Sequence, residues 1–218
     1  MLEKYKTVYE GGEGEIVEKK SRFIATVRPV KTEEEALAFI EEMKKKYWDA
    51  RHNCYAYSIG EHREFTRCSD DGEPSGTAGR PMLDVILGED IYNVAVVVTR
   101  YFGGVLLGTG GLVRAYSGAV QAGLGESTVI EKHHGISLAL TADYTAIGKL
   151  RYIAAENQLP VLDTEYTDKV IMHLLVPNDQ IGRIQKVITE ATSGRIKMEK
   201  EKELYFADVE GKIKVFDH

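Results

Sequence analysis

Two cysteines, five prolines and one tryptophan in 218 residues rule out several kinds of protein at once. Cys54 and Cys68 are too few for a disulfide-stapled scaffold and fit a reducing cytoplasm better. No apolar run approaches the ~20 residues that span a bilayer, and Met1-Leu2-Glu3-Lys4-Tyr5-Lys6 opens no apolar signal region. The expectation is a cytoplasmic chain with no membrane partner. A broad basic surface is missing as well. With 28 Lys+Arg against 34 Asp+Glu the formal charge is −6, whereas sequence-independent nucleic-acid binding depends on neutralising many phosphates. Any polyanion binding must therefore be local. Between Tyr47 and Glu131 there is no lysine, so every strong positive charge in that span is arginine, which suits paired recognition of carboxylate or phosphate. The hydrophobic content of 43% is enough for one large or two small globular domains.

Glycine and acidic residues are concentrated in two segments. Thr99-Arg100-Tyr101-Phe102-Gly103-Gly104-Val105-Leu106-Leu107-Gly108-Thr109-Gly110-Gly111 follows an apolar strand, Asn93 to Val98, and leads into a helix containing Arg114. Strand, glycine turn and helix N-terminus can together cradle an anion. Equally, the glycines can serve only tight turns and close helix–sheet packing. The stretch is neither a P-loop nor a dinucleotide fingerprint: Thr109 stands where the first needs Lys, and Val113 where the second needs Gly or Ala. The other segment, Ser69-Asp70-Asp71-Gly72-Glu73-Pro74-Ser75-Gly76-Thr77-Ala78-Gly79-Arg80-Pro81, reads as a loop whose side chains bond the local backbone. Pro81 suits the first position of a short helix ending at Gly88. The three carboxylates have natural partners in Arg67, Arg80, Arg100 and Arg114.

These two segments, with Arg51-His52-Asn53-Cys54-Tyr55-Ala56-Tyr57, resemble the IMPACT family in its bacterial form. The resemblance covers about the first 130 residues in order, and a less distinctive C-terminal domain follows, as in bacterial members. It implies an α+β architecture: an N-terminal left-handed βαβ domain like domain IV of elongation factor G, then a domain like domain V of that factor. It also implies a role in regulating translation. Eukaryotic members bind an activator of an initiation-factor kinase, a pathway bacteria lack, so what transfers is binding to RNA, the ribosome or a translation-associated protein.

Pattern along the chain agrees in outline. Tyr5 to Glu10 and Glu15 to Val27 read as strands joined by Gly11-Gly12-Glu13-Gly14. Thr32-x-x-Glu35 is a capping box for a helix with Ala36, Leu37, Phe39, Ile40 and Met43 on its apolar stripe. Further strands are expected at His52 to Ile59, Glu64 to Ser69, Asn93 to Arg100 and Thr128 to Lys132, and helices at Pro81 to Leu87 and Leu112 to Leu124, the helices covering one face of a mixed sheet. A break near His133-His134-Gly135 divides the chain into 1–135 and 136–218. The second part reads βαββαβ, a ferredoxin-like order, with Asp143 and Asn178 as N-caps, Gly194 after the second helix, and Phe206 to His218 as an extra strand or a tail.

Several chemistries compete for the motif residues. His52, Cys54 and Cys68 lack the fourth ligand and close pairing of common zinc sites, and the acidic loop does not fit a calcium-binding hand. Neither a metal nor a cofactor is expected. Ser69, Ser75, Thr77 and Thr109 occur without a nucleophile elbow, and Cys54 sits in mid-strand. Tyr55, Tyr57, Tyr101, Phe102 and Tyr116 interleave with arginines and could stack bases, or they could be core. The expected site is one polar cleft formed by Arg67, Asp70, Asp71, Glu73, Arg80, Arg100, Tyr101, Gly103, Gly104, Gly108, Gly110, Gly111 and Arg114. It would serve binding, or else an enzyme acting on a small phosphorylated or carboxylated substrate with Asp70, Asp71 or Glu73 as acid or base.

Overall fold

The computed structural model describes residues 2–216. By contact the chain falls into two units, one spanning Tyr5–Ile130 and the other formed by Glu131 onward together with the residues before Tyr5.

The first unit is built on a five-stranded sheet. Its strands are β2 (Glu13–Glu18), β3 (Ser21–Pro29), β4 (His52–Ile59), β5 (Phe65–Ser69) and β7 (Val94–Tyr101), in the order β2-β3-β7-β4-β5. Both β3 and β4 run antiparallel to the β7 between them. They are therefore parallel to each other, and α1 (Glu33–Lys46) makes the βαβ crossover. Two further strands, β1 (Lys4–Glu10) and β6 (Ile91–Tyr92), pair in parallel outside this sheet, Lys6 opposite Ile91. Thr32 caps α1 as expected, its Oγ1 accepting from Glu35 N at 3.2 Å, while the Glu35 carboxylate accepts from Lys31 N at 2.7 Å. Ala36, Phe39, Ile40 and Met43 are buried, whereas Leu37 faces solvent and is not part of the stripe.

Helices cover both faces of this sheet, not one. Phe39, Ile40 and Met43 of α1 pack with Tyr57, Ile59, Ala95 and Val97. On the opposite face α2 (Gly79–Gly88) and α3 (Thr109–Gly125) pack with Phe23, Cys54, Ala56, Val94, Val96 and Val98. The cause is legible in β7: Val94 to Val98 is apolar at every position, as befits a strand buried on both sides. Gly14 lets α3 approach closely, since a Cβ there would lie 2.4 Å from the Ala122 carbonyl carbon.

Two local expectations fail. Glu15 to Val27 is not one strand but the β2–β3 hairpin, turning at Lys19 and Lys20, both left-handed (φ 46° and 67°). Two central residues with positive φ are what a right-twisted hairpin requires, and no Asn-Gly announced it. Only Gly11-Gly12 connects β1 to β2, with Glu13 and Gly14 already in β2, and because the two strands lie in different sheets the expected hairpin turn is not formed.

The second unit has β8 (Thr128–Ala142) from Glu131 onward, β9 (Val161–Tyr166), β10 (Val170–Pro177), β11 (Lys197–Val209) and β12 (Lys212–Phe216), and helices α4 (Ile147–Glu156) and α5 (Ile181–Thr192). β10 lies antiparallel between β8 and β9, and β11 pairs antiparallel with β8 and β12. This is the ferredoxin-like order, extended by one edge strand. Leu138, Leu140, Leu150, Ile153, Met172, Leu174, Ile184 and Ile188 form its core. β8 runs unbroken through His133-His134-Gly135, so the expected break is strand, and the division by contact falls at Ile130/Glu131. Neither Asp143 nor Asn178 caps a helix; a single 3-10 turn precedes each one. The segment from Phe206 completes β11 and forms β12 as far as Phe216, the last two residues lying outside the described ones.

Candidate functional site

Asp70 organises the acidic loop from its first residue. Its Oδ1 accepts from Ala78 N at 2.9 Å and Gly79 N at 2.8 Å, and its Oδ2 from Gly76 N at 2.8 Å. The carboxylate thus caps α2 from eight residues upstream, where Ala78 offers no cap of its own. Partial burial works to raise the Asp70 pKa, but the three N–H groups outweigh it and hold the carboxyl below its ordinary value. Pro81 is the third residue of α2, not the first, because Asp70 starts the helix at Gly79.

The next two acids turn inward. Asp71, left-handed at φ 41°, accepts from Asn53 N at 2.6 Å through its side chain, and its carbonyl is 2.8 Å from His52 Nδ1. Glu73 is buried, and its Oε1 accepts from the Arg100 guanidinium at 2.6 Å and the Tyr116 hydroxyl at 2.8 Å. Cys54 Sγ lies 3.0 Å from the Asp70 carbonyl and 3.3 Å from the Tyr116 hydroxyl. Burial first, then the nearby carboxylates, push this thiol far above its ordinary pKa, and burial does the same to Tyr116. Neither ionises near neutral pH. His52 and Cys54 thus both bond to carbonyls of the acidic loop.

The expected residues therefore separate. Asp70, Asp71, Glu73 and Arg100 come together, so the acidic loop meets the strand that leads into the glycine loop. Tyr101 faces the other side of the sheet, its hydroxyl donating to Asp49 at 2.8 Å. Arg67 stands opposite Tyr57 on the face that packs α1. Arg80 pairs with Asp84 at 2.7 Å on the exposed side of α2. Strand alternation explains Arg67 and Tyr101: each is offset by an odd number from a residue on the α2/α3 face. Of the aromatics, Tyr57 and Tyr116 are core, while Phe102 is exposed.

The glycines and Arg114 form a second group at the start of α3. Gly103 passes so close to the hairpin turn that a Cβ would lie 2.0 Å from the Lys20 carbonyl carbon, and its N–H donates to Ser21 Oγ at 3.1 Å. Gly104 and Gly108 have φ of 85° and 73°, and Gly110 and Gly111 sit in the first turn of α3. A small cavity of about 120 Å³ lies here, lined by Glu18, Lys19, Leu107, Gly111, Arg114 and Ala115. Arg114 is exposed, and no described residue pairs with it. Lys19 and Lys20 escaped the sequence reading because the turn that carries them did. Asn53 and Thr99, cross-strand neighbours bonded at 2.7 Å between Thr99 Oγ1 and Asn53 Oδ1, were legible only as polar residues in apolar strands.

Two family models match separate parts of the chain. Residues 19–124 match the Impact N-terminal domain, and residues 140–195 match a domain of unknown function, DUF1949. The chain is 44% identical over 195 residues to the IMPACT family member YvyE of Bacillus subtilis, covering 89% of this chain and 90% of that protein. It is 32% identical over 182 residues to YigZ of Escherichia coli, covering 83% and 89%. A crystal structure of a hypothetical protein superposes with a TM-score of 0.59 at 29% identity, over 93% of this chain and 99% of that one. Relatives matched along about nine-tenths of their own length, with the acidic and glycine loops inside the matched N-terminal domain, make this chain a bacterial-type member of the IMPACT family.

Proposed function

We propose that this protein regulates translation by binding, with its first unit engaging the ribosome or a protein associated with it. Family membership supports the process, and the wiring of the acidic loop supports the mode. Asp70 holds a helix start, Asp71 a strand N–H, and Glu73 an arginine and a tyrosine. Each carboxylate is committed to fixed donors, an arrangement that favours a rigid scaffold over acid–base turnover on a small substrate. The observation that carries the reading is the division among cations. Arg100 is consumed internally, whereas Arg114 beside the glycine loop is exposed and without a described ion-pair partner.

Co-sedimentation with purified ribosomes across a salt series tests this. Wild type should sediment with ribosomes at low salt, and Arg114→Ala should weaken the association and flatten its salt dependence while melting at the wild-type temperature. Failure of folded wild type to co-sediment at low salt overturns the proposal.

A further inference from the structure

The glycine loop carries its own contradiction: it projects apolar side chains into water. Leu106 is 82% exposed, Phe102 53% and Val105 43%. The loop is nevertheless anchored on both sides. Leu107 packs against the core, Gly103 sits on the backbone of the β2–β3 turn, and Gly104 and Gly108 hold left-handed conformations that fix its path. A tethered apolar tip differs from scattered surface leucines, because its exposure is imposed by the backbone and cannot be relieved by collapse.

Cations lie at the base of the loop. Lys19 and Lys20 occupy the turn against which Gly103 rests, and Lys19 and Arg114 line the cavity beside Leu107. None of the three makes an ion pair with a described residue. Elsewhere in this unit Arg22, Arg28, Arg63, Arg80 and Arg100 each have a carboxylate within 2.7 Å, while Arg51 and Arg67 also make no ion pair with a described residue. Three unpartnered cations in a chain of net charge −6, set against one lining carboxylate, Glu18, make a local positive field around an apolar centre. An apolar anchor within a charged rim is the anatomy of a protein-binding surface.

We infer that the 102–108 loop tip, with Lys19, Lys20 and Arg114, is a docking surface for an acidic protein segment bearing apolar side chains. The aliphatic character of Val105 and Leu106 favours a polypeptide over single-stranded RNA, whose bases stack on aromatic rings. The inference rests on the reading of this unit as a binding module and names the chemistry of its partner.

Selection of a random-peptide display library on the full-length protein provides the test, followed by titration of a selected peptide. Enriched peptides should combine Asp or Glu with Leu, Ile or Phe. Leu106→Ser and the double variant Lys19→Glu/Lys20→Glu should each weaken the selected peptide by about tenfold or more at unchanged melting temperature. Weakening by the charge variant should shrink at high salt and that by the uncharged Leu106→Ser should not. Both variants lie on exposed side chains, so misfolding does not confound them. Enrichment without acidic residues, or affinities unmoved by both variants, overturns the inference. So does Leu106-dependent binding of poly(U) or of phosphatidylglycerol vesicles, or Leu106-dependent self-association of wild type. Ribosome co-sedimentation without peptide enrichment would sink this inference alone, whereas peptide binding without co-sedimentation would sink the role in translation and leave the surface standing.

Discussion

Glu73 and Arg100 meet at 2.6 Å with both side chains more than nine-tenths buried. The pair joins a loop to a central strand, and Tyr116 adds α3 to the junction at 2.8 Å. Removing one partner strands the other charge in a low-dielectric interior. Arg100→Ala should therefore cost about 3–5 kcal/mol in urea denaturation, and Glu73→Leu combined with Arg100→Met should recover much of it. A wild-type midpoint for Arg100→Ala would show that the pair does not hold the loop.

Asp70→Ala removes the acceptor of three N–H groups and should destabilise by about 1–2 kcal/mol, the scale of a lost helix cap. The pH dependence has a definite sign. Because the folded pKa is lowered, the Asp70 contribution is complete above the carboxyl's unfolded value and is lost as pH falls through the lower folded one. The gap between wild type and Asp70→Asn, followed by denaturation from pH 7 downward, should stay constant until the ordinary aspartate range and then narrow.

Thiol labelling separates the two cysteines. Cys54 is buried and Cys68 exposed, and burial together with neighbouring carboxylates raises both thiols, Cys54 far more strongly. Native protein should react at Cys68 alone, more slowly than a free thiol at the same pH, and denatured protein at both. Mass spectrometry after brief alkylation reads this directly; native modification of Cys54 would mean that the network around Tyr116 opens readily.

Where the second unit begins can be tested with two fragments. His133 and His134 pair with Phe206 and Tyr205, so a fragment starting at Ile136 lacks strand partners that one starting at Glu131 retains. The 131–218 fragment should melt cooperatively and at higher temperature than 136–218. Equal melting temperatures would show that these pairs add nothing.

What was legible in the sequence was whatever periodicity and special residues encode locally. The Thr32 capping box, the α1 stripe apart from Leu37, and the βαββαβ order all have short-range signals. The second covered face of the first sheet was written into the uninterrupted apolar run of β7 but needs topology to be seen. Asp70 as a cap eight residues away, and Glu73 as the partner of Arg100 rather than of Arg67 or Arg80, are long-range facts. Composition offered four arginines for three carboxylates, and only strand alternation and folding decide which of them share a face.

The Lys19-Lys20 turn sets two optima against each other. Left-handed backbone at a lysine is strained relative to Asn or Gly, so Lys19→Asn with Lys20→Gly would tighten the hairpin while erasing two of the three cations beside the glycine loop. The most stable sequence for these two positions and the most highly charged one are different sequences, and the chain carries the charged one.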